Sequence, residues 1–175
     1  MLNLLESPVF LVFGNHEIFA GERTAELLKE TKVKILRNEI VNFKGLQIIG
    51  IDYSDDKKHL SKILPKLEIN KSKPAVLLYH PPASLDYIND AGINLHLAGH
   101  LHGAQIFPIH AIAKIACKSS FKIPNYKGLH KKENSYLYIS SGAGTWGPPM
   151  RLFSKSEITL AKLVPYSSHS SAVIR

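Results

Sequence analysis

With 175 residues, 45% of them hydrophobic and 21% charged, the chain has the material for one globular domain with a substantial core, which excludes a disordered tail or a linker. The formal net charge of +8 is spread over short lysine pairs such as Lys57-Lys58 and Lys131-Lys132; that is a solvated surface, not the basic stripe with interleaved aromatics that would point to nucleic acid. One cysteine, Cys117, cannot form an intrachain disulfide and reads as a buried thiol, no apolar run reaches the ~18 residues of a membrane span, and the opening residues lack a secretory signal, so a cytoplasmic chain is expected.

In chain order, Pro8 to Phe13 is a continuous β-prone run ending at Gly14. It reads as a buried strand that delivers Asn15, His16 and Glu17 into a loop at its C-terminal end, where α/β proteins place chemistry. Residues 21–32 read as a helix with Ala25, Leu27 and Leu28 on one side, and Val33 to Leu36 as a strand. Segments 40–43 and 46–52 flank Lys44-Gly45 and predict a hairpin, and 55–67 is a lysine-rich helix disturbed by Pro65. Residues 74–79 form the next buried strand, ending at His80-Pro81-Pro82. A short helix at 83–90 leads to a strand at 93–98, which ends at Gly99-His100-Leu101-His102-Gly103. Three strands therefore end in three histidine-bearing loops. Tyr136 to Ser140 and Ile158 to Leu163 read as strands around a Gly/Pro-rich loop, and the serine-rich segment 166–175 as a frayed tail after a single domain over 1–165.

His100 and His102 are two apart, a spacing that in extended chain points both imidazoles to one side and suits a divalent cation. His80 follows a neighbouring strand in the same way, and Asn15-His16 offers a neutral oxygen ligand beside a proton donor. Taken singly, Gly-Asn-His is a turn and His80 a hydrogen-bonded residue beside two prolines. Asp52, Asp55, Asp56, Asp86 and Asp90 are assigned to surface or turn positions. Gly142-Ala-Gly144-Thr-Trp-Gly147 satisfies a dinucleotide-binding pattern, but Pro148-Pro149 follows where that motif needs a helix.

Gly14-Asn15-His16-Glu17, His80 and Gly99-His100-Leu101-His102-Gly103-Ala104-Gln105 resemble, in order, spacing and placement after strands, the later motifs of the calcineurin-like metallophosphoesterases. Tyr126-Lys-Gly-Leu129, Leu137-Tyr-Ile-Ser140, Gly142-Ala-Gly144, Trp146-Gly-Pro-Pro-Met-Arg-Leu-Phe153 and Glu157-Ile-Thr-Leu160 resemble a bacterial branch whose members are often membrane-associated phosphohydrolases. The likeness runs from about residue 8 to about residue 163.

The resemblance implies an α/β fold, a four-layer αββα sandwich, and hydrolysis of a phosphoester or phosphoanhydride by two divalent ions, manganese, iron, zinc or cobalt. It implies that Asn15, His80 and His100 hold one ion, that His102 helps hold the other, and that His16 protonates the leaving oxygen. The family's Asp-x-His and Gly-Asp motifs precede the Gly-Asn-His loop and have no counterpart here, where Glu6 is the sole carboxylate before Asn15. The expectation is therefore a C-terminal half of the ligand set, with N-terminal strands missing, one ion or none held by this chain alone, and an N-terminal partner fragment. A phosphate-bearing small molecule or lipid-linked substrate and peripheral membrane contact complete what the likeness implies. The alternative is a non-catalytic binding module of the same fold with at most one metal.

Overall fold

Two apolar runs near the start pair with each other, and the later ones assemble separately around a larger sheet. The computed structural model describes residues 4–106, 108–123 and 125–164. Strands β1 (Val9–Leu11) and β2 (Val33–Ile35) form a two-stranded parallel sheet, connected through α1 (Asn15–Ala20) and α2 (Glu22–Leu28). Strands β3 (Glu39–Phe43), β4 (Leu46–Ile51), β5 (Ala75–Tyr79), β6 (Leu95–Ala98), β7 (Gly128–Lys132) and β8 (Ser135–Ile139) form a six-stranded sheet in the order β3-β4-β5-β6-β8-β7. Its centre is parallel, and each edge is closed by an antiparallel hairpin. In the first hairpin Lys44 and Gly45 both take positive φ, 50° and 83°, the two-residue turn whose twist matches the flanking strands.

The central strands are near-continuous apolar runs because both of their faces are covered. In β4 every residue after Leu46 is buried, and in β5 all but Leu78. One core cluster joins Ile49, Ile51, Leu77, Ile88 and Ile93, covered by α3 (His59–Ile63), a 3-10 turn at Leu64–Lys66 and α4 (Leu85–Asp90). A second joins Ala98, Cys117, Ile123, Leu137 and Ile139 beside α5 (Ile109–Ala116) and the single π-turn that continues it. The small sheet meets the large one where Leu36, fully buried, rests on Gly50: a Cβ on Gly50 would lie 2.1 Å from that of Leu36. The architecture is the expected α/β sandwich, a central six-stranded sheet flanked by helices.

Four local readings need correction. Asn15 to Glu17 do not continue as loop but open α1, since the Gly14 carbonyl accepts from Ile18 N at 3.1 Å and begins a helical turn. The helix expected over 55–67 shrinks to α3, because Pro65 has no N–H to continue the ladder and the chain tightens into a 3-10 turn. Residues 158–163 form no strand; Ile158 is 94% exposed, and Glu157 commits its backbone N–H to the Gly142 carbonyl instead of to a sheet ladder. Asp52 is buried, not superficial, and its Oδ2 accepts from Arg37 Nε at 2.5 Å. The tail expected at 166–175 lies outside the described residues. Among the described residues no helix is long and apolar enough to cross a membrane.

Candidate functional site

Because β5 and β6 are parallel neighbours, with Leu78 opposite Leu97, their C-terminal ends emerge side by side. Gly99 N donates to the His80 carbonyl at 3.0 Å, and the His80 and His100 rings stand edge to face with centroids 5.1 Å apart. The end of β1 is brought to the same place by Tyr53 N, which donates to the Phe13 carbonyl at 3.1 Å and ties the segments following β1 and β4 together. Asn15, in the first turn of α1, then meets His80: Nε2–H donates to the Asn15 amide oxygen at 3.1 Å. Gly14 makes this approach possible, since a Cβ there would lie 2.9 Å from His80 Cγ and Cδ2. Glu17 closes the turn by accepting from Gly14 N at 2.9 Å.

The loop after β6 departs from the extended geometry that the His100/His102 spacing assumes. His100, His102, Gly103 and Ala104 all have positive φ, between 50° and 69°, so the chain coils left-handedly instead of alternating faces. Such conformations are held only where the surroundings dictate them. Arg151 supplies much of that constraint. Its guanidinium donates to the carbonyls of His102 (3.0 Å), Ser141 (2.6 Å) and Gly144 (2.5 Å). Ser154 Oγ–H donates to the Gly103 carbonyl at 2.9 Å, and a Cβ on Gly103 would meet Ser141 Oγ at 2.5 Å. His102 is half-buried, while His16, next to Asn15 in the chain, is exposed.

Burial holds the inner imidazoles neutral. Desolvation, with smaller contributions from His100, His102 and His16, pushes His80 down to about 4, partly offset by the Glu17 carboxylate. His100 and His102 shift in the same direction for the same first reason; in each His16 adds to it, and Arg151 adds further at His102. Neutral imidazole is the metal-binding form. Tyr53 forms an aromatic wall, its ring centroid 5.8 Å from that of His100 and 6.3 Å from that of His80. Asn15, His16, His100 and His102 are among the residues lining a cavity of about 420 Å³.

The donor set fits one divalent ion. Asn15 Oδ1 and His80 Nε2 are 3.1 Å apart, an oxygen and an imidazole nitrogen of the kinds that hold such an ion. His100 adds a second neutral nitrogen against His80. Among the described residues no group of three or more His, Cys, Asp or Glu is arranged to hold a metal ion, so the convergent set is two imidazoles and an amide. Sequence reasoning missed Tyr53, which lies two residues past β4 as the histidines lie just past β5 and β6. It also missed the bracing role of Arg151, for which the sequence carries no signal beyond its place in a shared motif.

Comparison with known proteins places these residues in a wider set. An uncharacterized metallophosphoesterase of Helicobacter pylori (strain ATCC 700392 / 26695) is 36% identical over 176 residues, covering 94% of this chain and 45% of the relative. One from Campylobacter jejuni is 36% identical over 163 residues, 88% of this chain and 41% of the relative. One from Bacillus subtilis is 30% identical over 164 residues, 89% and 60% respectively. The chain spans about half the length of these curated relatives. No family model matches the chain. No solved structure matches it either. The residues that bear the motifs lie within a likeness extending over most of the chain, and on that likeness the chain belongs to the calcineurin-like metallophosphoesterase superfamily.

Proposed function

We propose that this chain supplies part of a dinuclear centre that hydrolyses a phosphoester or phosphoanhydride, the alternative of a one-metal binding module being decided by the same experiment. The observation that carries the reading is the meeting of Asn15, His80 and His100 from three strand ends, with Asn15 Oδ1 and His80 Nε2 at 3.1 Å. In this reading these three side chains hold one divalent ion, manganese, iron, zinc or cobalt, and His102 contributes to a second whose other ligands come from beyond this set. When bound, a pair of such ions supplies Lewis acidity and an activated water for in-line attack on phosphorus. Imidazoles kept neutral by burial need only a change of tautomer, the His80 proton moving from Nε2 to Nδ1, to present a lone pair to an ion. Tyr53 packs on both rings and limits their rotation. His16 is the exposed member, in contact with water, and donates the proton that the leaving oxygen needs. Its acid role requires no ligation, which suits an exposed residue that lines the cavity.

The test is metal stoichiometry together with hydrolysis of bis(p-nitrophenyl) phosphate in manganese, for this chain and for the chain co-expressed with whatever coding sequence lies upstream. His100→Ala is expected to remove the bound metal, and His16→Ala to leave metal in place while abolishing turnover. Metal retained in His100→Ala would overturn the ligand assignment. One bound metal, no hydrolysis in either preparation, and a partner interaction unaffected by His16→Ala would establish the binding module instead.

A further inference from the structure

Strand β8 ends beside β6, where Ser140 N donates to the Ala98 carbonyl at 2.8 Å, so the chain leaving β8 starts out next to the histidine loop that leaves β6. Glu157 grips that chain twice. Its Oε1 accepts from Ser141 N at 3.0 Å, and its backbone N–H donates to the Gly142 carbonyl at 3.0 Å. The Tyr138 hydroxyl, from within β8, donates to the same Oε1 at 2.8 Å and ties the carboxylate to the sheet. Burial disfavours the charged form of Glu157, but hydrogen bonds from Ser141 N and the side chains of Tyr138, Ser140 and Thr159 outweigh it and hold its pKa below the usual value. Ser141 in turn is only 3% exposed and reaches the histidine loop by two routes. Its carbonyl accepts from Arg151 Nη2 at 2.6 Å, and Nη1 of the same guanidinium donates to the His102 carbonyl at 3.0 Å. Its hydroxyl lies so close to Gly103 that a Cβ on that glycine would stand 2.5 Å away. A shift of Ser141 is therefore felt at both His102 and Gly103, two of the positions where the loop takes positive φ.

We infer that Glu157 is a positioning residue for His102, acting through Ser141 and Arg151 to hold the imidazole where the proposed second ion is met. The inference rests on the phosphoester reading for what His102 does, and on hydrogen bonds alone for where His102 is held. Residues in sparsely populated backbone conformations persist only where their surroundings over-determine them. Glu157 supplies that constraint as an acceptor, and its charge is not what reaches His102, because the link to Arg151 runs through the Ser141 backbone. Glutamine presents a side-chain oxygen in the same place and serves; alanine presents none and does not.

The experiment compares the native chain, Glu157→Ala and Glu157→Gln by amide hydrogen exchange and by long-range proton–nitrogen correlation spectra of the imidazoles, first in chelator and then with zinc. His102→Asn identifies the His102 resonance. The amides of Leu101, Ala104 and Gln105 close the turn on the carbonyls of Gly99, Leu101 and His102, and they report its opening. In chelator, Glu157→Ala is expected to speed their exchange about tenfold or more, the loss of a hydrogen bond to a charged group, while β5 changes by less than about threefold. It is also expected to move the His102 ring resonance. Glu157→Gln is expected to return that resonance to its native position and to leave exchange within about threefold of native, since a neutral acceptor is weaker than a carboxylate. In an Arg151→Lys background Glu157→Ala is expected to add less than about twofold, because most of its route is already cut. Should Glu157→Ala not fold, Glu157→Asp withdraws the oxygens from Ser141 N by one methylene and is read in the same way. Equal acceleration in β5 and the turn, an unmoved His102 resonance, no rescue by Glu157→Gln, or full additivity with Arg151→Lys overturns the inference while the phosphoester reading stands. Zinc tests that reading separately: if it moves none of the His80, His100 and His102 resonances in the native chain, the metal site falls and the inference with it, whatever the exchange data show.

Discussion

Replacing Gly14 by alanine adds one methyl group at the point where two candidate ligands are brought together. The backbone tolerates it: φ is −88° and ψ −173°, an extended conformation any residue adopts. The space does not. The new Cβ would lie 2.9 Å from His80 Cγ and Cδ2 and 3.0 Å from Glu17 Oε2, against a carbon–carbon optimum of about 3.5–4.0 Å. The imidazole must therefore retreat by about 0.6 Å or more, and the retreat stretches a contact to Asn15 that already stands at 3.1 Å. Overpacking of this kind costs about 1–3 kcal/mol, and a misplaced ligand lowers metal affinity further. Urea unfolding in chelator should show that loss, and calorimetric titration with manganese or zinc should show at least a tenfold weaker ion. Gly144→Ala is the control, because a Cβ there meets nothing within 4 Å and its φ is not positive. Metal affinity in Gly14→Ala equal to that of the native chain would refute the claim that the His80 ring depends on this glycine.

Two further outcomes follow from the elements that support the cluster. His96 is fully buried in β6, its Nε2–H donating to the Tyr79 carbonyl at 3.0 Å and its Nδ1 without a partner, and burial pushes it down to about 4. Its folded value lies below the ordinary ~6.5, so the unfolded chain binds more protons between the two: stability is full above about pH 6.5 and declines as pH falls toward 4, by about 3 kcal/mol for this residue. Urea midpoints at pH 7 and pH 4.5 check it, and His96→Leu should remove its share of the slope while leaving that of His80. Arg151→Lys replaces a planar fork with a point charge and cannot reach the carbonyls of His102, Ser141 and Gly144 together. It is expected to cost about 1–3 kcal/mol and to speed amide hydrogen exchange in residues 100–104 more than in β5.

What was legible in the sequence was the part governed by short-range pattern. Buried strands announce themselves as β-branched runs, and the glycine or histidine that ends each one marks the loops, which is enough to put Asn15, His80 and His100 at strand ends. Pairing His100 with His102 by their spacing holds for extended chain and fails for this one, because left-handed φ at four positions is imposed by Arg151 and Ser154 from about fifty residues away. Sequence spacing carries no trace of that constraint. The strand expected at 158–163 fails for a related reason: alternation specifies a face, but here the chain enters the segment through Glu157, whose N–H is given to the Gly142 carbonyl, and Ile158 is left exposed. Helix α5 has a marked amphipathic pattern that pattern reading alone would have found, but the apolar face carrying Ile112 and Ile115 stays exposed instead of joining the core.

The charge balance of the cluster bears on how metal and substrate depend on each other. Asn15, His80 and His100 bring no formal charge, and the carboxylates of the surrounding segments each have at least one oxygen engaged. Glu17 caps Gly14 N, Asp52 is paired with Arg37, Asp55 accepts from the Tyr53 hydroxyl, and Asp56 is paired with Lys62. In the proposed reading, a divalent ion held by these three side chains therefore keeps most of its charge. A phosphate oxygen at the same site is then the principal counter-charge within reach, in surroundings where burial strengthens every such attraction. In that reading the protein's part is to hold half-buried neutral donors close together, and the affinity of the ion and of the phosphate would each rise with the presence of the other.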